Sequence, residues 1–345
     1  MSKSARHAGG RGVATSLPWT ELPLSTLLRS AFPHCVCPTT WHPDHMRANL
    51  LAIAALVLGA SLAHAQANAP SLITAAQLEP MLADRALVLL HVGDKAEYDA
   101  EHLPGARHIE VRSLAAAPQQ GGLTLQLPPP AELETKLEAL GISDSSRIVI
   151  YMGKDWISPL TRVVFTLDYA GLGGRTMVLD GGLPAWKAAG KAVTKDVPAP
   201  LATGTLTIAP RSEAVADLAW VQSHAGKSDC VVIDARNTQF YTGESNNNGR
   251  IPRPGHVAGA VSAPFDTWVR EDGTFKSRAE LEAMLKTAGA RPGATVATYC
   301  HIGQQATVPY FVARMLGYDV KLFDGSYEEW ARTEGAPVKT GNAPQ

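Results

Sequence analysis

The sequence predicts an α/β protein made of two related domains, each a parallel sheet flanked by helices. Three observations predict it. At 345 residues the chain is too long for one ordinary core and suits about two domains of roughly 100–200 residues. One ordered set of segments occurs twice along it. Within each copy, short apolar runs alternate with segments of helical period, and runs as continuously apolar as Val231-Val232-Ile233 belong in a parallel sheet covered on both faces.

From the N-terminus, the first element is not part of either domain. Residues 1–45 are rich in Arg, His, Pro, Ser and Thr without a sustained apolar period, and are expected to be a mis-assigned extension ahead of a start at Met46. Met46-Arg47, an apolar run from Leu50 to Leu62 and then Ala63-His64-Ala65 have the form of a secretory signal over 46–65, cleaved after Ala65. As a membrane span the run is too short, because crossing a bilayer takes about 20 residues. Residues 1–65 are therefore read as a leader. The mature chain is expected to be exported, periplasmic, and without stable membrane association after cleavage.

The repeat sets the order of the remaining elements. Leu133-Glu134-Thr-Lys-Leu137-Glu-Ala-Leu-Gly141 through Tyr151 aligns without a gap onto Leu281-Glu282-Ala-Met-Leu285-Lys-Thr-Ala-Gly289 through Tyr299. In each, leucines at helical spacing lead to a helix-ending glycine, a turn and a β-rich run. Asp180-Gly181-Gly182-Leu-Pro-Ala-Trp186 matches Asp324-Gly325-Ser326-Tyr-Glu-Glu-Trp330, His102 and Gly105 match His256 and Gly259, and Val88–Val92 matches Val231–Ala235. Each half thus reads strand, loop, short strand, helix, strand, helix, strand, helix. Ser326 and Glu329 read as a capping box opening the last helix. The domains are placed at 70–194 and 212–341, joined by a linker over 195–211 that is rich in Pro, Gly and Thr.

Net charge is −1 and charged residues make up 18% of the chain, so nothing marks a nucleic-acid-binding face or an acidic tail. A small molecule or thiol is the expected partner. Of the four cysteines, Cys35 and Cys37 fall in the leader. Cys230 precedes one strand and Cys300 follows another, which places them at opposite sheet edges, roughly 16 Å apart at about 3.3 Å per residue. A disulfide needs Cα atoms within about 7 Å, so Cys300 is expected to be a free thiol and Cys230 a buried one.

Ligands of such sheets bind beyond the carboxyl ends of strands, where Cys300 stands. It leads His301-Ile302-Gly303-Gln304-Gln305-Ala306 into a helix. Backbone N–H groups and the positive end of the helix dipole there favour an anion, which makes Cys300 the candidate nucleophile. Met152 replaces it in the first copy, so only the second half is expected to be catalytic. Arg236, following a strand, is read either as a substrate contact or as the partner of a carboxylate. His102 and His256 recur in both copies and are read as structural. His301 has no counterpart and is assigned to the pocket. Trp186 and Trp330 are read as packing residues.

Together, the Cys300 loop, Asp234-Ala235-Arg236, Gly255-His256 with Gly259-Ala260, and Asp324-Gly325 with Trp330 resemble the second domain of tandem rhodaneses, and residues 80–192 resemble the inactive first domain. The resemblance implies transfer of sulfane sulfur from thiosulfate, through a Cys300 persulfide, to cyanide or a thiol. No cofactor or metal is implied. The loop residues His301, Ile302, Gly303, Gln304, Gln305 and Ala306 would cradle the sulfur, the glutamines acting through backbone N–H more than through their amides. Two positions depart from the family pattern. Ile302 stands where thiosulfate-using members commonly have lysine, and Phe240 where they commonly have a second arginine. Anion binding would then fall to the loop amides, Arg236, and candidate contacts Arg250 and Arg253. The loop also lacks the Gly-Ser after cysteine expected of mercaptopyruvate sulfurtransferases, which makes that activity the second choice. A cysteine phosphatase needs arginine six residues after the cysteine, and Ala306 occupies that place. A persulfide carrier or thiol-sensing module dependent on a partner protein is the non-enzymatic alternative.

Overall fold

A computed structural model describes residues 68–154, 157–199 and 202–343; the leader expected over 1–65 lies outside them. The first half contains β1 (Ser71–Ile73), α1 (Ala75–Leu78), β2 (Leu87–Val92), α2 (Lys95–Ala100), β3 (Arg107–Ile109), α3 (Pro130–Ala139), β4 (Arg147–Met152), α4 (Ile157–Tyr169), β5 (Thr176–Leu179) and α5 (Gly182–Ala188). In the second half are β6 (Val215–Ala216), α6 (Leu218–His224), β7 (Cys230–Asp234), α7 (Thr238–Tyr241), β8 (His256–Val257), β9 (Ala260–Ser262), α8 (Arg278–Thr287), β10 (Thr295–Tyr299), α9 (Thr307–Met315), β11 (Val320–Phe323), α10 (Ser326–Arg332) and β12 (Val338–Lys339). Two five-stranded sheets result, ordered β1-β5-β4-β2-β3 and β6-β11-β10-β7-β9, and every pairing within them is parallel. β12 pairs antiparallel with β8.

Alternation along the strands divides the core. On β2, Val88, Leu90 and Val92 join one large cluster and Leu89 joins another; on β10, Val296 joins the large cluster while Ala297 and Tyr299 face a third. Successive strand residues point to opposite faces, so each sheet has its own outer core. The inner faces share a single one, through α4 and α9, whose residues Val163, Val164, Phe165, Phe311 and Val312 all belong to it. The two halves are therefore fused along one hydrophobic layer.

Three details depart from expectation. Each sheet has a further edge strand, β1 or β6, ahead of the strand with which the repeat was expected to begin; three and two residues long, these carry too little pattern to be read. Residues 205–208 of the expected linker form a strap against the first half. Their N–H groups bond Ser143, Glu138, Asp144 and Glu134, and Leu206 is buried. Finally, Ser326 does not cap α10. It is the first helical residue, with φ +52°, behind Gly325 at the N-cap. Its hydroxyl faces inward, donating to the Phe323 carbonyl at 2.8 Å and accepting from the Cys300 N–H at 3.3 Å.

Candidate active site

Strand β10 delivers Cys300, and the register explains why it is free. Cys230 lies beside Thr295 and Asp234 beside Tyr299 on neighbouring strands, so the two cysteines stand at opposite ends of the pair and both thiols are unbridged. Cys230 is inert: burial first, then the nearby Asp229 and Asp319 carboxylates, push its thiol up to about 12. Cys300 is only 1% exposed, at the base of a loop that runs into α9.

The backbone of that loop is polarised by its surroundings. The Cys300 and His301 carbonyls accept from the N–H groups of Tyr327 and Glu328 at 2.9 Å, those of Gln304 and Gln305 from Thr307 and Val308, and that of Ala306 from Tyr310. Arg162 of α4 takes the Gly303 carbonyl at 3.0 Å. Among the described residues, the N–H groups of 301–306 have no oxygen or nitrogen acceptor. A run of N–H groups without acceptors in one loop forms a nest for an anion. Gly303 makes the turn possible with φ +77°; a Cβ there would also stand 2.9 Å from Arg162 Nη1 and 3.0 Å from the Asp324 carbonyl.

His301 and Ile302 help line a cleft of about 550 Å³, together with Thr124, Arg250, Tyr327 and Glu328. His301 is met edge-on by Phe240, ring centroids 4.6 Å apart. Burial, and then the Arg236 charge, lower its pKa to about 4, so it is a neutral wall at neutral pH. Arg250 has no ion-pair partner among the described residues and lies at the cleft.

Arg236 and Arg253 are both engaged by groups of the protein itself. Arg236 is fully buried; its Nε and Nη2 clamp Asp234 at 2.9 and 2.5 Å, and Nη2 also bonds the Gly255 carbonyl at 2.7 Å. Of the two sequence readings, this geometry is the carboxylate pair. Burial opposes the charge, but Asp234 more than offsets it, and the guanidinium pKa is raised. Nη1 alone has no partner. The guanidinium of Arg253, a candidate anion contact, is engaged by the carbonyls of Trp330, Ala331, Thr333 and Ala336. These close the last turn of α10, where a cation is favoured by the orphan carbonyls and the dipole.

Gln304 uses its amide as well as its backbone, reaching Ser158 of the first half at 3.3 Å, and the Gln305 side-chain oxygen is buried without a partner. His102 and His256 make matched contacts, each stacking on a tyrosine and bonding that tyrosine's carbonyl. Trp186 and Trp330 are buried, each donating its indole N–H to a carbonyl just beyond its own helix.

Sequence reasoning missed Ser326 and Arg162 as parts of the site. Both had a signal. Ser326 is the position where the repeat has Gly182 beside Met152, and a Cβ on Gly182 would fall 2.5 Å from the Met152 carbonyl; only the cysteine copy accommodates a side chain. Arg162 is a lone cation in an apolar helix, and a charge there is buried only with partners.

In the first half, the Cys300 position is held by Met152 and the Asp234 and Arg236 positions by His91 and Gly93. The His91 ring is buried, both nitrogens lack partners, and burial lowers its pKa to about 4, helped by His108 and His102.

The Rhodanese-like domain family matches this chain twice, over residues 74–189 and 217–333. A thiosulfate sulfurtransferase of Pseudomonas aeruginosa is 32% identical over 274 residues, covering 78% of this chain and 97% of the relative. A probable 3-mercaptopyruvate sulfurtransferase of the same organism is 31% identical, covering 80% and 100%. Among solved structures, YnjE superposes with a TM-score of 0.70 at 22% identity over 79% of this chain and 69% of that one, a likeness of fold. A tandem pair of rhodanese domains with sulfurtransferase relatives along nearly its whole described length, the chain belongs to the rhodanese family and is a sulfurtransferase.

Proposed function

We propose that Cys300 carries sulfane sulfur from thiosulfate to cyanide or a thiol, and that the first half, with Met152 in the corresponding place, is not catalytic. The supporting observation is the polarised loop: the carbonyls of Cys300, His301, Gly303, Gln304, Gln305 and Ala306 are engaged, while the N–H groups of 301–306 have no acceptor among the described residues. The Cys300 thiolate attacks the outer sulfur of thiosulfate. As the new S–S bond forms, the bond within thiosulfate breaks and sulfite departs with its electron pair. The persulfide anion rests among the loop amides, which supply preorganised dipoles for the charge. Cyanide then attacks the terminal sulfur, giving thiocyanate and restoring the thiolate; a thiol acceptor gives a persulfide in the same way.

Ile302 and Phe240 take away two cations that thiosulfate-using members commonly have, which favours a second reading. In it the donor is 3-mercaptopyruvate, or a protein partner loads the chain as a carrier. A relative at 29% identity, from Thermus thermophilus, is named sulfur carrier protein TtuD. We also read 46–65 as a signal that exports the chain to the periplasm, testable by N-terminal sequencing of the processed protein.

The deciding experiment treats reduced protein and its Cys300→Ala variant with thiosulfate, following intact mass and sulfite release. A gain of one sulfur, about 32 Da, on the wild type alone, together with sulfite, supports the first reading. A gain with 3-mercaptopyruvate only moves the donor, and a gain only in the presence of another protein supports the carrier.

A further inference from the structure

The interface between the halves is nearly two-fold symmetric, and one of its buried breaks lies against the Cys300 loop. Aligning the helix-ending glycines Gly171 and Gly317 pairs Thr161 with Thr307, Asp168 with Arg314, and Arg162 with Val308. The first two pairs contact each other across the interface: the threonine hydroxyls lie 2.8 Å apart, and Arg314 Nε reaches Asp168 at 3.1 Å. The symmetry continues outward. Asp180 accepts the Phe275 N–H from the second half at 2.9 Å, and its counterpart Asp324 accepts the Leu127 N–H from the first half, also at 2.9 Å. At Asp324, however, there is an additional cation. Arg162 Nη1 bonds Asp324 at 2.7 Å and the Gly303 carbonyl at 3.0 Å, while Nη2 bonds Leu125 of its own half at 2.6 Å. The corresponding residue on the other side, Val308, can donate nothing from its side chain.

We propose that Arg162, contributed by the half without a nucleophile, is a positioning residue for sulfur transfer at Cys300. It ties together the two segments that build the sulfur's surroundings. One is the cysteine loop, held at Gly303. The other is the turn Asp324–Ser326, whose serine accepts the Cys300 N–H. Because the peptide after Gly303 is planar and trans, with no cis bonds in the described chain, drawing the Gly303 carbonyl to Arg162 turns the Gln304 N–H the opposite way. A guanidinium suits this position because its rigid fork presents one nitrogen to Asp324 and Gly303 and another to Leu125, where an ammonium has a single nitrogen for all three. The first half thereby has a function in catalysis that does not require a cysteine of its own.

The inference rests on Cys300 as the sulfur carrier, and the test separates the two. The full chain would be compared with Arg162→Met, Arg162→Lys and Asp180→Asn, the last removing the symmetry-related contact that does not touch the cysteine loop. Two quantities are read on proteins with a retained cooperative melt. They are kcat and KM for thiosulfate with cyanide, and the rate of iodoacetamide alkylation of Cys300 resolved by peptide mass. For Arg162→Met we expect kcat to fall about 10–100-fold, as for a misplacement near 1 Å, with KM little changed and a parallel change in Cys300 alkylation. Arg162→Lys should recover part of the loss, and Asp180→Asn should stay close to wild type. Retention of wild-type kcat and alkylation by either Arg162 variant overturns the proposal, as does an equal loss in Asp180→Asn, which would reduce Arg162 to interface glue. If Arg162→Met does not fold, the Lys variant against Asp180→Asn carries the same decision. Should wild type load no sulfur from thiosulfate or 3-mercaptopyruvate, the functional reading fails, while the alkylation rates still report on Arg162.

Discussion

A serine at φ +52° bears a cost of about 1–2 kcal/mol that glycine would not, so Ser326 keeps its hydroxyl against the backbone's preference. Its return is the pair of bonds to the Phe323 carbonyl and the Cys300 N–H. Ser326→Gly removes both bonds, at about 1 kcal/mol each, and relieves the backbone, so the denaturation midpoint should barely move while sulfur transfer slows. Ser326→Ala loses the bonds without relief and should lower stability by about 1–2 kcal/mol, read in a urea titration. The two buried histidines give an acid dependence of definite sign. His91 and His301 both have folded pKa values lowered from 6.5 to about 4. The unfolded chain therefore binds more protons between those limits, and stability present above about pH 6.5 is lost as pH falls toward 4. His91→Phe keeps a ring edge-on to Tyr98 and Tyr151 and removes a group that resists burial. It should raise the melting temperature and flatten its decline from about pH 7 to about pH 5; an unchanged slope would show that other groups govern it.

At the scale of the element, Arg253 and Arg250 divide the parts that spacing suggested they share. Both lie in the loop before β8, yet Arg253 caps the end of α10 and Arg250 faces the cleft. Arg253→Met strips a charged donor from the carbonyls of that last turn and should cost about 2–3 kcal/mol, leaving KM for thiosulfate unchanged once the protein is folded. Arg250→Ala should do the reverse, raising KM with little effect on thermal melting. The repeat made the strands, the longer helices and the cysteine's position at a strand end legible, because each rests on local period and punctuation within one copy. What escaped was decided elsewhere. The edge strands β1 and β6 are held by β5 and β11, which come far along the chain, and Ser326 fitted a capping pattern although Cys300 claims its hydroxyl.

At the scale of the whole molecule, the interface between the copies was illegible for the same reason in stronger form: Arg162 meets Asp324 and Asp168 meets Arg314 from distant parts of the chain, and a repeat shows resemblance between copies but not how they face one another. The structure makes them one body. The inner core runs through both sheets, and at its centre Asp168, wholly buried, accepts from Arg211, Tyr310 and Arg314 at 2.7, 2.8 and 3.1 Å. Separate domains joined by a flexible strap would melt apart, each with its own midpoint; halves sharing a core lose it together. Calorimetry should accordingly show one transition for both halves, with the van't Hoff enthalpy close to the calorimetric one. Asp168→Asn takes the carboxylate charge away from buried Arg314 and should destabilise by about 3–5 kcal/mol, the usual cost of breaking a buried pair from one side. Its effect also separates the alternatives: in a fused molecule the single transition shifts to lower temperature as a unit, whereas two transitions, with only one of them displaced, would show that the halves fold independently and that the shared layer is a docking surface.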